Sequence, residues 1–306
     1  MSTDDIEIND EKPELGENDF TLDEFASVRV CDLEAVLYLV ATPIGNLRDI
    51  SLRALDVLRG AAVIYCEDTR VTRKLLGAYQ IRGHLKSYND HSDDERRDEI
   101  VAAVQGGQAV ALVSDAGMPM VSDPGYKLVK ACEAAGVNVT TVPGANAPLA
   151  ALQLSGLPSG QFSFIGFLPN KTKARSDYLR KWMNVPSTLI AFETAPRLIP
   201  ALKDIGEVLG VREVAVVREI TKLYEEVRKG KAADLIAYYV ENGLPKGEIV
   251  LVLAPPIDDV ISDDDIIQMI RDALKTMRTK DAAAFVAEKT NRKKNEIYDM
   301  ALKLDK

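Results

Sequence analysis

Charged side chains of both signs stand where apolar stretches of this chain end. They are Glu67 and Arg70 after 61–66, Asp115 after 109–113, and Lys222 after 214–217. A carboxylate at such a place can accept a proton from a hydroxyl group, and a cation can hold a phosphate or stabilise a developing alkoxide. The same charges also occur as structural ion pairs, and an aspartate such as Asp115 can simply stabilise its own turn. Both interpretations remain open on these residues alone.

Four short turns that follow apolar stretches contain proline or glycine. They are Thr42-Pro43-Ile44-Gly45-Asn46, Ser114-Asp115-Ala116-Gly117-Met118-Pro119, Pro143-Gly144-Ala145-Asn146 and Glu193-Thr194-Ala195-Pro196. Glycine lets the backbone approach a ligand closely, and proline fixes the turn. One such turn is usually structural, but several at strand ends predict a small-molecule cleft. Neither G-x-G-x-x-G nor G-x-x-x-x-G-K occurs, which disfavours the usual dinucleotide and P-loop sites.

The elements that must position these turns alternate between strands and helices. In the first half we predict strands at 36–41, 61–66, 109–113 and 137–142, and helices at 51–59 and 126–135. In the second half we predict strands at 163–167, 188–192, 214–217 and 249–253, and helices at 173–183, 197–209 and 232–241. Alternation of this kind predicts an α/β fold with a mainly parallel sheet that is covered on both faces.

Breaks in this pattern predict the domain organisation. We expect a disordered acidic tail at 1–35, α/β domains at 36–157 and 161–256, and a small helical domain at 262–306, with a hinge at 155–160. The last part contains three helical patterns without a strand, at 263–277, 281–289 and 294–302. This arrangement is typical of a helix-turn-helix appendage.

The charge distribution limits the partners that the body of the protein can bind. The net charge is −9, but residues 1–36 alone carry twelve acidic side chains against two basic ones. The remainder is nearly neutral, so a polyanion would bind only through local patches. Cations near the C-terminus either contact phosphates or form a solvated helix face. They are Lys280, Lys289, Arg292, Lys293 and Lys294.

Cysteine usage and hydropathy indicate the compartment. Cys31, Cys66 and Cys132 are far apart and have no metal-site spacing, so we expect free thiols and no metal. No apolar run reaches the roughly 20 residues that span a bilayer, and the first residues do not resemble a signal peptide. We therefore expect a cytoplasmic protein without a membrane partner.

The motifs at these strand ends together resemble the ribosomal branch of the tetrapyrrole-methylase superfamily. The resemblance covers about residues 36–255, with every motif in order. The motifs are Leu37 to Leu47 with Asp49-Ile50, Glu67-Asp68-Thr69-Arg70, Ser114-Asp115-Ala116-Gly117 with Pro119, Ser122-Asp123-Pro124-Gly125, Gly166-Phe167-Leu168-Pro169, Arg218-Glu219-Ile220-Thr221-Lys222 and Lys246-Gly247-Glu248. Met118, Ala145, Asn89 and Pro196 depart from the pattern of that branch. The C-terminal part also resembles the small helical domain that many members carry.

The resemblance implies two α/β domains of the class III methyltransferase type, with S-adenosylmethionine folded between them and held largely by backbone groups. The first domain would contact this donor through Pro43, Ile44, Gly45, Asp115, Gly117, Met118, Val121, Asn146 and Ala147. The second domain would contact it through Phe192, Val217, Gly247 and Glu248. It also implies a homodimer that methylates the ribose 2′-hydroxyl of a cytidine in small-subunit ribosomal RNA.

That reaction assigns roles to the charged residues. We predict that Arg70 and Lys222 hold the RNA phosphate or the alkoxide, and that Glu67 or Asp115 accepts the proton. Two alternatives remain: a methyltransferase of the same superfamily that acts on a tetrapyrrole or another small molecule, and a non-catalytic RNA-binding module. An aromatic content of only 6% disfavours a large macrocycle pocket.

Overall fold

The computed structural model describes residues 32–89, 94–256, 263–290, 292 and 294–304. These residues form two compact units, which divide between Ala254 and Pro255. Most of the predicted acidic tail, from residue 1 to 31, lies outside the described residues, and so does Lys293.

The first half of the larger unit contains a five-stranded sheet in which every pair of neighbours is parallel, as predicted. Its strands are β1 (Leu37–Val40), β2 (Val63–Cys66), β3 (Leu85–Ser87), β4 (Val110–Val113) and β5 (Val139–Val142), in the order β3-β2-β4-β1-β5. Its helices are α1 (Leu52–Gly60), α2 (Thr69–Ala78), α3 (Asp94–Gln105) and α4 (Tyr126–Ala134).

The central strands of this sheet are apolar on both faces because helices cover both faces. Tyr38 and Val40 of β1 pack into one buried cluster, whereas Leu37 of the same strand packs into another. Successive side chains of a strand point to opposite faces, so the two clusters lie on opposite sides of the sheet. The parallel arrangement brings the carboxyl ends of β1, β2 and β4 to one edge, where the predicted catalytic turns begin.

The second half contains another five-stranded sheet, and here the strand directions differ from a simple parallel arrangement. Its strands are β6 (Phe162–Phe167), β7 (Thr188–Thr194), β8 (Glu213–Arg218), β9 (Glu226–Lys231) and β10 (Glu248–Leu253), in the order β6-β7-β10-β8-β9. Only β6 and β7 pair in parallel. A hairpin joins β8 to β9, and β9 was absent from the prediction because this charged edge strand has no apolar run.

The helices of the second half are α6 (Thr172–Arg180), α7 (Leu198–Leu209) and α8 (Ala232–Asn242). A further helix, α5 (Ala147–Ser155), comes before the predicted hinge but packs against the second sheet. Ala151 and Leu152 of α5 share a buried cluster with Val217 and Val252. Apolar packing therefore joins the two halves across the predicted domain boundary, which itself stays a prediction.

The smaller unit consists of three helices, as the sequence predicts. They are α9 (Asp263–Leu274), α10 (Thr279–Thr290) and α11 (Lys294–Leu304). Ile266, Val286 and Ile297, one from each helix, are fully buried in a common core. In the part of the chain that the structure describes, no helix is long and apolar enough to cross a bilayer.

Candidate active site

The loops after β1 and β4 are joined directly to each other. The Thr42 backbone N–H donates to the Gly117 carbonyl at 2.8 Å, and the Gly117 N–H donates back to the Thr42 carbonyl at 3.0 Å. The buried Thr42 hydroxyl adds a hydrogen bond to the Ser114 carbonyl at 3.2 Å. Gly117 has a φ of +82°, which a residue with a side chain rarely adopts. These bonds fix Pro43, Ile44 and Gly45 relative to the Asp115 loop.

Carboxylates gather at the ends of β2 and β4. Glu67, Ser114 and Asp123 line one small enclosed space, and Asp115 accepts a hydrogen bond from the Asp68 backbone N–H at 3.2 Å. Burial, together with the nearby charges of Glu67 and Asp115, raises the pKa of Asp123 to about 6, although Ser114 lowers it in part through a hydrogen bond. The pKa of Asp123 is thus nearer to neutrality than that of an ordinary aspartate, which suits a proton acceptor.

The turn after β8 holds a second charged group. The Lys222 ammonium lies 2.9 Å from Glu219 Oε1 and 2.8 Å from Glu248 Oε2. Partial burial disfavours the charged form of Lys222, but the hydrogen bonds to Glu248 and Glu219 outweigh it and raise the Lys222 pKa. The same interaction with Lys222 lowers the pKa of Glu219. Lys222 is thus paired with two carboxylates rather than held free.

The two halves meet where the first loop approaches this turn. A Cβ atom on Gly45 would lie 2.6 Å from Lys222 Cγ and 2.8 Å from Thr221 Oγ1. A Cβ on Gly247 would lie 2.1 Å from Glu219 Oε1. A side chain at either position would displace the side chains of Lys222, Thr221 or Glu219, and the φ of +91° at Gly247 itself favours glycine there.

A cleft of about 260 Å³ opens beside this junction. It is lined by Ile44, Ala116, Ala147, Phe167, Phe192, Glu193, Thr194, Ile220, Gly247, Glu248, Ile249 and Val250. Its wall is mostly apolar, and a few polar groups converge on it. A lining of this kind is typical of a ligand site. An apolar wall for a nucleoside, with carboxylates for a cationic group, fits the chemistry of S-adenosylmethionine.

Strained backbone is concentrated in the two loops around the cleft. Among the described residues other than glycine, five have positive φ, and four of these lie here. They are Met120 and Ser122 in the first half, and Glu219 and Thr221 in the second half. Each such conformation costs on the order of 1–3 kcal/mol, and residues of this kind concentrate at functional sites. The strain therefore supports the assignment of this junction as the active site.

The structure brings part of the predicted donor site together at the cleft. Ile44, Ala147, Phe192, Gly247 and Glu248 line it directly. Asn146 caps α5 through a hydrogen bond from the Leu149 N–H at 3.0 Å and lies beside Met118, with Nδ2 3.6 Å from the Met118 sulfur. Val121 is half-buried in the same first-half loop as Met118.

Other predicted residues lie outside the lining. Val217 is fully buried in the core that α5 shares with the second sheet, so only its backbone could reach a ligand. Arg70 is largely exposed and pairs with Asp68 at 2.6 Å. The roles assigned to these side chains stay predictions.

The sequence motifs do not predict several residues that line the cleft, and they do not predict Asp123 as a site residue. Phe167, Glu193, Thr194 and Ile220 all lie in turns or motifs that the sequence marks. A motif gives the segment that comes near the site, but it does not show which side chains turn toward the cleft.

Similarity to known proteins agrees with this geometry. Residues 36–236 match the model of the family described as Tetrapyrrole (Corrin/Porphyrin) Methylases. Residues 260–305 match the model described as the RsmI C-terminal HTH domain. The chain belongs to the tetrapyrrole methylase family, and the predicted fold class is confirmed.

Two curated relatives match almost over their whole length, and both are named ribosomal RNA small subunit methyltransferase I. The protein from Erythrobacter litoralis is 52% identical over 88% of this chain and 95% of its own. The protein from Mesorhizobium japonicum is 46% identical over 89% of this chain and 93% of its own. This chain is accordingly an S-adenosylmethionine-dependent methyltransferase, as the motifs predicted.

The fold is shared with solved structures of more distant proteins. Uroporphyrin-III C-methyltransferase from Thermus thermophilus, solved in complex with S-adenosylhomocysteine, has a TM-score of 0.50 and 22% identity. The match covers 72% of this chain and 97% of the other. At this identity the similarity concerns the fold alone.

Proposed function

We propose that this methyltransferase transfers a methyl group to the ribose 2′-hydroxyl of a cytidine in small-subunit ribosomal RNA. The observation that carries the proposal is a mostly apolar cleft in the same unit as a cluster of carboxylates, Glu67, Asp115 and Asp123. Methylation of a hydroxyl oxygen needs a proton acceptor. The names of the curated relatives support ribosomal RNA as the substrate.

S-adenosylmethionine, when bound, supplies a methyl group that is activated by a positively charged sulfur. The loop with Pro43, Ile44 and Gly45 and the start of β10 with Gly247 and Glu248 would hold it from the two halves. The other first-half contacts proposed are Asp115, Gly117, Met118, Val121, Asn146 and Ala147, with Phe192 and Val217 in the second half. Because Gly45 and Gly247 have no side chain, the two segments can come close enough to orient the donor.

The proposed catalytic step places the target hydroxyl toward the carboxylate cluster. The 2′-oxygen would form its bond to the methyl carbon as the bond between that carbon and the donor sulfur breaks, S-adenosylhomocysteine would leave, and the hydroxyl proton would pass to Asp115, Glu67 or Asp123. Asp123 is suited to this role because its pKa is raised to about 6, and a base with a pKa nearer neutrality accepts a proton more readily. Arg70 is exposed enough to contact an RNA phosphate. Lys222 would contact the RNA while it stays paired with Glu219 and Glu248.

Mass spectrometry of ribosomal RNA tests the proposed function. Cells with the protein should carry one 2′-O-methylcytidine in the small-subunit RNA that cells without it lack. Purified protein should restore it on small subunits from the deficient cells and should leave free porphyrinoids unmethylated. Methylation of the porphyrinoid instead, or donor binding without any transfer, would favour one of the two alternatives.

Replacement of Glu67 and Lys222 tests their proposed roles. We expect Glu67→Gln to slow transfer about tenfold if it takes part in proton transfer. We expect Lys222→Ala to weaken RNA affinity several-fold. Transfer rates and filter binding with small subunits measure both. Glu133→Gln and Lys203→Ala, which alter exposed residues of α4 and α7, are the matched controls. Wild-type rate and affinity in both test variants would remove the assignment.

The C-terminal unit provides the next prediction. Deletion of residues 260–306 should weaken binding to small ribosomal subunits about tenfold, because the cations of this unit, including Lys280, Lys289 and Lys294, would no longer reach phosphates. Donor affinity should stay unchanged, since residues 32–254 form their own compact unit. Titration of both ligands measures this. Equal RNA affinity with and without the unit would contradict the role.

We also propose that the protein acts as a cytoplasmic homodimer, as the resemblance implies. Leu223 and Val240 of the second half are 88% and 69% exposed, and apolar side chains this exposed are suited to an interface. Sedimentation equilibrium of the purified protein measures its association state.

A further inference from the structure

Three phenylalanines of the second half form a series that ends at the cleft. The Phe164 and Phe192 rings meet edge to face with centroids 5.0 Å apart, and the Phe192 and Phe167 rings meet at 5.1 Å. Phe164 and Phe192 are partly buried, whereas Phe167 is 54% exposed. The outermost ring of the series therefore presents an open aromatic surface at the rim of the donor site.

The segment that carries Phe167 is held in place by buried charges. The buried Arg175 guanidinium pairs with the buried Asp204 at 2.6 Å and donates to the carbonyls of Pro169 and Asn170, both at 3.2 Å. Arg197 donates to the Leu168 carbonyl. Hydrogen bonds from one buried and one partly buried guanidinium group therefore hold the backbone carbonyls of the three residues after Phe167. Such a loop keeps its exposed ring at one position rather than letting it fold onto the core.

The same segment lies near the loop of the first half that carries Ser122 and Asp123. Gly166 has a φ of +68°, and the pairing of β6 with β7 shifts register between Phe164 and Phe167. A Cβ atom built on Gly166 would lie 3.9 Å from Ser122 Oγ. Ser122 precedes Asp123, so the end of β6 that carries Phe167 lies near the loop that carries this carboxylate.

We propose that Phe167 is the platform on which the base of the target nucleotide stacks. This inference rests on the proposed function, because it requires a nucleotide substrate. Aromatic side chains bind unpaired RNA bases by stacking on the flat face of the base. Phe192 lies deeper in the wall and suits the adenine ring of the donor, so the outer ring is left for the substrate. Phe167 is thus a positioning residue: it orients the ribose toward the proton acceptor.

Replacement of Phe167 by leucine removes the flat ring but keeps an apolar side chain. We expect Phe167→Leu to raise KM for small ribosomal subunits that lack the modification by at least about fivefold, which is the lower end of the effect that loss of stacking on one base has. Phe167→Trp should restore a KM near the wild-type value. Donor affinity, measured by calorimetry on each variant without RNA, should stay the same.

Phe162→Leu is the matched control, because Phe162 is 45% exposed on the same strand but does not line the cleft. An unchanged KM in Phe167→Leu, with an active wild-type protein, would overturn the platform. Loss of donor affinity in that variant would overturn it as well and assign the ring to the donor. A wild-type protein that does not methylate the subunits would instead refute the proposed function.

Discussion

Asp123→Asn should slow methyl transfer about 100-fold and stabilise the folded protein at neutral pH. A positioned general base contributes roughly 10²- to 10⁴-fold to the rate, and asparagine cannot accept the proton. Asp123 lies with Glu67 and Ser114 around one enclosed space, and burial raises its pKa to about 6. The buried carboxylate therefore favours catalysis at the expense of stability.

The pH dependence of this stabilisation has a definite sign. The pKa of Asp123 rises from 3.8 to about 6 on folding, so the native state binds the proton more tightly than the unfolded state. Stability of the wild-type protein consequently falls as the pH rises from about 4 to 6. The Asp123→Asn variant should be as stable as the wild-type protein below pH 4 and more stable than the wild-type protein above pH 6. A shift of this size corresponds to about 3 kcal/mol at most, and partial exposure reduces the expected gain to about 1 kcal/mol.

Denaturant unfolding at several pH values measures the stability of the folded protein. A pH–rate profile measures the pKa of the group that accepts the proton. Wild-type kcat/KM should fall as the pH drops below about 6, as Asp123 becomes protonated. The matched control is Asp177→Asn, which removes an exposed carboxylate of α6 that pairs with Lys173 and should leave the rate unchanged. A variant at position 123 that keeps the full rate, or loses stability at neutral pH, would be incompatible with this role.

Gly247→Ala should weaken donor binding at least tenfold and lower stability by about 2 kcal/mol. The new Cβ would lie 2.1 Å from Glu219 Oε1, so the Glu219 carboxylate has to move. That carboxylate accepts hydrogen bonds from Lys222 Nζ at 2.9 Å and from the Glu248 N–H at 3.2 Å. Displacement of the Glu219 carboxylate would disrupt the cluster of Glu219, Lys222 and Glu248, which shapes one side of the cleft.

Gly243→Ala separates this effect from backbone strain. Gly243 has a φ of +84°, close to the +91° of Gly247, but a Cβ there would meet no atom within 4 Å. With a ψ of 163°, Gly243 lies in a backbone region that is almost exclusive to glycine, so its replacement should cost the backbone strain alone, on the order of 1–3 kcal/mol, and leave donor affinity unchanged. Calorimetry with the donor and thermal unfolding measure both variants. Equal donor affinities in the two alanine variants would show that the cluster of Glu219, Lys222 and Glu248 does not shape the donor site.

The amino-acid sequence by itself determined the alternating elements and the turns that carry the site. Apolar runs such as 36–41 and 109–113 predict buried strands because only apolar side chains can be covered on both faces of a sheet. The motifs around Ile44 and Gly247 predicted the family and its donor, and the structure places both residues at the cleft. These features depend on local composition and spacing, which can be read from the amino-acid sequence alone.

Only the tertiary structure decided the strand directions of the second sheet, the packing of α5 across the predicted boundary, and the partners of Lys222. It also selected Asp123 and Phe167, which stood in recognised motifs without any sign of a role. Burial raises the pKa of Asp123, and a fixed loop exposes Phe167. Both properties arise from residues distant in sequence, because solvation and the direction of a side chain are set by what packs around it.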